Sequence, residues 1–93
     1  MTIDELKAAV TNFGGEQHVI GFIFDNSSRF IFDDPTFSFA THYHDASGCL
    51  FFKDTDTHGH PYTIVKHIEN IQSIIFIDNI ADFEDFNKRY IGA

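Results

Sequence analysis

The spacing of apolar residues changes period near residue 15, and this change restricts the chain to folds that mix helix and sheet. Ile3, Leu6, Val10 and Phe13 recur at helical spacing. Thr2 stands as a cap, Glu5 follows three residues later, and Gly14-Gly15 closes the segment, which is the signature of an amphipathic helix of about three turns. From Val19 onward the period is two and the residues are β-formers. Residues 18–25 and 29–33 flank Asp25-Asn26-Ser27-Ser28, a segment of turn composition, and read as a hairpin.

Further strands are expected at residues 36–44, 49–53 and 62–66, with a turn at Asp45 to Gly48 and a polar, mobile loop over residues 54–61. In the first of these, Phe37, Phe39, Thr41 and Tyr43 alternate with Ser38, Ala40, His42 and His44. The run 71–77 is apolar on both faces, as in a strand covered on both sides. A last helix starts at a cap on Asp78 or Asn79 and carries Ile80, Phe83, Phe86 or Asn87, and Tyr90 on its inward stripe. Asp82, Glu84 and Asp85 lie in its first turns, and Lys88 and Arg89 near its end, as the helix dipole favours. The expected architecture is α+β over a single domain, residues 1–93. It comprises an N-terminal helix, an antiparallel meander of five or six strands forming a curved sheet or small barrel, and a C-terminal helix.

Charge narrows the function classes. Fourteen acidic residues against six basic ones give a formal charge of -8, while twelve Phe and no Trp supply a greasy interior. Such a shell favours encounter with basic surfaces and disfavours direct binding to nucleic acid or to an anionic membrane. The local acidic clusters are Asp33 and Asp34, Asp54 and Asp56, and Asp82, Glu84 and Asp85. These are the candidate partner-binding residues of a small non-enzymatic module that docks on a basic, nucleic-acid-binding surface of another protein. Short, acidic, motif-free inhibitors carried by phages and mobile elements are of this type, and an adaptor is the related reading. The competing reading of the same carboxylates is turn and cap chemistry plus solubility.

Six histidines form the other feature, four of them in His42-Tyr43-His44 and His58-Gly59-His60. On a strand, His42 and His44 would project to one face about 6.5–7 Å apart, within reach of one metal ion. Asp45 or Cys49 could complete that site, so the alternative function is a His-dependent divalent-metal domain with zinc as its ion; the leading reading requires no cofactor. Cys49 is the only cysteine, so no intrachain disulfide forms, and it reads as a packed residue. Nucleophile elbows and phosphate-binding glycine loops are absent, and no enzymatic activity is expected. Residues 1–5 lack the basic patch and apolar run of a secretory signal, and no stretch approaches membrane-spanning length, so a soluble cytoplasmic protein is expected. The apolar run 71–77 could also pair across a two-fold axis in a homodimer.

Overall fold

The computed structural model describes residues 1–32 and 37–88. Helix α1 (Ile3–Phe13) begins where the sequence places it. The Glu5 backbone N–H donates to Thr2 Oγ1 at 3.1 Å, and the Thr2 N–H donates to Glu5 Oε1 at 2.8 Å. These reciprocal bonds satisfy two donors that the helix itself leaves unpaired. The helix buries Leu6 and Val10 completely or nearly so and ends at Gly14, whose φ of 131° needs a residue without Cβ. A single 3₁₀ turn, Glu16–His18, then delivers the chain into β1 (Val19–Phe24).

Strand β1 turns through residues 25–28 into β2 (Arg29–Ile31), confirming the hairpin. The turn is held by Ser27 N–H to Phe24 O at 2.8 Å and by Asn26 Oδ1 accepting from Ser28 N–H at 3.0 Å. After Phe37, residues 39–42 form a helical turn, α2 (Phe39–His42), followed by β3 (Tyr43–His44), β4 (Cys49–Thr55) and β5 (Pro61–His67). A 3₁₀ turn at Ile68–Asn70 leads to β6 (Ile71–Phe76). The 3₁₀ turn Ile80–Asp82 then runs into the short helix α3 (Phe83–Asn87).

The α+β class, the N-terminal helix and a short C-terminal helix match expectation, though Ile80, expected on the inward stripe, is exposed in the 3₁₀ turn and Tyr90 lies outside the described residues. The strands do not form one meander or a barrel. They make two three-stranded antiparallel sheets, ordered β2-β1-β6 and β3-β4-β5. Two local causes separate the expected pattern from the observed one. First, the expected strand over 36–44 is interrupted because Ser38 diverts the backbone. Its Oγ accepts from Thr41 N–H at 3.1 Å and its carbonyl accepts from His42 N–H at 3.0 Å, a helical-turn cap that competes with strand pairing. Only Tyr43 and His44 remain in a ladder, paired with Leu50 and Cys49.

Second, the apolar run after residue 70 is an edge strand, not a sandwiched one. Among the described residues β6 pairs only with β1, in a long-range register of Phe22 with Ile74 and Gly21 with Ile75. Its burial is partial, with Ile71 buried, Gln72 and Ser73 exposed, and Ile74, Ile75 and Phe76 half-buried. The segment expected as a mobile loop is instead a tight hairpin turn: β4 and β5 pair as far as Thr55 with Pro61, and Asp56 N–H donates to His60 O at 3.0 Å.

Both sheets feed one core. Phe22 and Phe24 of β1, Leu50 and Phe52 of β4, and Leu6 and Val10 of α1 meet Phe32, Phe37, Ile68 and Ile71 in a single cluster. Shared burial of this kind, rather than hydrogen bonding between the sheets, couples the two halves.

Candidate functional site

The acidic residues separate into different structural roles. Asp33 and Asp34 lie outside the described residues. Asp54 is tied into its hairpin, with Oδ1 accepting from Thr55 N–H at 2.7 Å and Oδ2 from the Tyr62 hydroxyl at 3.2 Å. Asp56 organises the turn that follows. Its Oδ1 accepts from His58 N–H and His60 N–H, both at 2.8 Å, and Oδ2 lies 3.1 Å from His60 Nδ1. The His60 backbone N–H, aided by that of His58 and by the His60 ring, holds the Asp56 carboxyl below its ordinary range.

Because the folded-state value is lowered, the Asp56 contribution to stability is complete above the ordinary carboxylate range and is lost as pH falls through the folded value. The difference in thermal midpoint between wild type and Asp56→Asn should therefore hold steady from about pH 7 to about 5 and shrink as pH is lowered from about 5 to about 2. A difference that stays constant over that range would refute the assignment.

Asp82 and Asp85 behave differently. Together with Asp78 they stand around a groove of about 490 Å³ whose apolar lining is Phe76, Ile77 and Phe86. The groove exists because β6 ends at Phe76, Asn79 caps the next turn by accepting from Ala81 N–H at 3.1 Å, and Phe83 is buried to 5% exposure, anchoring α3. All three carboxylates are on exposed residues. Glu84 is also exposed but is not part of the groove; it faces Lys88 at 3.6 Å, one helical turn on. Asp54 and Asp56 sit at the far tip of the β4–β5 hairpin and do not join this group. Sequence reasoning treated Asp78 only as a cap and assigned Phe76, Ile77 and Phe86 to the interior. The available signal was the abrupt passage from an apolar strand to Asp78, Asp82 and Asp85.

The histidines do not project from one strand face. His42 belongs to α2, where its Nδ1 lies 3.2 Å from Ser38 N and its ring stacks 5.4 Å from that of Phe37. His44 is on β3, with its ring 4.1 Å from that of Phe51. Both nevertheless border one cleft, together with Phe51 and Lys53. His58 and His60 are at the exposed hairpin tip, their rings 6.3 Å apart. Among the described residues no three His, Cys, Asp or Glu side chains gather closely enough to hold a metal ion.

Cys49 is buried, as expected, but its neighbour is a histidine that sequence reasoning had not paired with it. Cys49 Sγ lies 3.2 Å from His67 Nδ1 and donates to Ser47 O at 3.4 Å. The strand register brings this about by placing His67 directly opposite Cys49. A nucleophilic thiol needs access as well as a base, and at 3% exposure Cys49 lacks it.

Comparison with protein-family models, curated proteins and solved structures finds no match to this chain. Among the described residues no helix is long and apolar enough to cross a membrane.

Proposed function

We propose that the protein is a non-enzymatic binding module that seats a basic, partly apolar segment of another protein in the groove following β6, acting as a stoichiometric inhibitor or adaptor. The observation that supports this reading is the convergence of Asp78, Asp82 and Asp85 around an apolar lining of Phe76, Ile77 and Phe86. Lys and Arg have long alkyl stems and charged heads. A stem laid on Phe76 and Phe86 would bring its head to the surrounding carboxylates. The overall charge of -8 adds long-range attraction and accelerates encounter with a basic partner, including one whose basic surface otherwise holds nucleic acid.

The test is fluorescence anisotropy with a labelled peptide probe in which Lys and Arg alternate with Leu. Replacing Asp78, Asp82 and Asp85 together by Lys should weaken binding at least about tenfold, the factor equivalent to about 1.4 kcal/mol spread over three charge reversals. The same number of reversals at Asp4, Asp25 and Glu69, all exposed and outside the groove, should weaken it much less. Affinity should also fall as salt rises from about 0.05 M to about 0.5 M, since the Debye length shortens accordingly. Absence of peptide binding, or equal losses in the two triple variants, would defeat the proposal.

A further inference from the structure

The outer face of the second sheet carries a feature opposite in character to the groove. Beside α2 and β3 lies a cleft of about 760 Å³, within the volume range of small-molecule sites. Its floor is built from two adjacent cross-strand pairs, Phe51 with Val65 and Lys53 with Thr63. The first pair is apolar and the second polar, and successive residues on one face of a strand are about 6.5–7 Å apart. Polarity is therefore graded along the strand direction over roughly the length of a two-ring aromatic molecule.

Three observations make this face unlike the rest of the surface. Val65 is 47% exposed, one of only four large hydrophobic residues so exposed among those described. Phe51 is half-buried, with the His44 ring tilted against it at a centroid distance of 4.1 Å. The cleft also concentrates positive and protonatable groups, Lys53, His42 and His44, with no carboxylate among the described residues that line it, in a chain with fourteen acidic residues and six basic ones. Lys53 makes no ion pair among the described residues. An ammonium beside an apolar patch, in a protein that is otherwise strongly negative, matches an anion with a greasy body.

We infer that this cleft is a binding site for a small amphiphilic carboxylate, with its apolar body against Phe51 and Val65 and its carboxylate on Lys53 and the Thr63 hydroxyl. Neither Asp78, Asp82 nor Asp85 takes part, so the site stands or falls independently of the acidic groove.

The probe pair is 2-naphthoate and its neutral counterpart 2-naphthylmethanol, titrated into the isotopically labelled full chain and followed by amide chemical shifts. For a ligand of this size a Kd of about 1 mM or tighter is expected. The perturbed amides should cluster at residues 51–53 and 63–65, and the carboxylate should bind at least about fivefold more tightly than the alcohol. Lys53→Met should abolish that preference by weakening the carboxylate to about the affinity of the alcohol, and Lys53→Arg should retain it. Because Lys53 is exposed, the variants should fold, and the same amide spectra report whether they do. The inference is overturned if no shifts occur, if they map elsewhere, if acid and alcohol bind equally, or if the preference survives in Lys53→Met.

Discussion

Phe22→Ala should remove about 3–5 kcal/mol of stability, a large fraction of the roughly 5–14 kcal/mol that a domain of this length holds. Phe22 is fully buried and its ring is surrounded by four others. Phe37 and Phe32 meet it edge-on at 5.5 and 5.8 Å, and Phe24 and Phe52 lie tilted at 6.3 Å. Those partners come from the middle strand of the first sheet, the segments on either side of the undescribed residues 33–36, and the second sheet. The ring thus bridges elements that share no hydrogen-bonded ladder. Its loss leaves a cavity that neither sheet can collapse into without giving up its own register, and both transfer and cavity terms apply. Urea denaturation should show the midpoint falling by at least about 1 M, given the usual denaturant slope for small proteins. Phe22→Leu, which keeps most of the volume, should cost much less. A loss below about 1 kcal/mol for the alanine variant would mean that the site can collapse and that Phe22 is not the joint between the sheets.

The features legible in the sequence were those determined by neighbours close along the chain. Helix α1 could be read from Thr2, Glu5 and the Leu6–Val10 stripe because capping and amphipathicity act over three or four residues. The β1–β2 hairpin followed from four turn residues. By contrast, the alternation at 37–43 satisfies a strand and a capped turn almost equally, and the Ser38 hydroxyl, a single side-chain acceptor, decided between them. The run at 71–76 could not disclose its partner, since pairing with β1 rather than β5 depends on the 3₁₀ turn at Ile68–Asn70, where Ile68 N–H donates to Gly48 O at 3.1 Å. The candidate sites followed the same division. Asp82 and Asp85 were visible as charge, whereas the groove depends on how Phe86 and the end of β6 come together. Cys49 and His67 meet through strand register, eighteen residues apart, and Phe51, Lys53, Thr63 and Val65 become one surface only once β4 and β5 are paired.

Gly21→Ala is the second substitution with a large expected effect, and it acts through the backbone. Gly21 lies in the central strand of its sheet, opposite Ile31 on one side and Ile75 on the other. A Cβ at this position would come within 2.3 Å of the Phe30 carbonyl oxygen and 3.0 Å of the Ile31 Cα. Both are main-chain atoms, so no rotamer change relieves the contact, and β2 must move away from β1. Phe30 and Phe32 would move with it, loosening the tilted contact of Phe30 with Phe52 at 4.6 Å and the edge-on contact of Phe32 with Phe22. The expected cost is about 3 kcal/mol, at the upper end for overpacking by one methyl group. Hydrogen exchange distinguishes this mechanism from general destabilisation. The Phe32 amide, which donates to Ile20 O at 2.8 Å, should lose protection beyond the global change, while amides in the β1–β6 ladder should lose no more than the global amount. Uniform loss across both ladders, or a cost below about 0.5 kcal/mol, would show that β2 yields readily. The close approach at Gly21 would then not be what fixes the hairpin against the core.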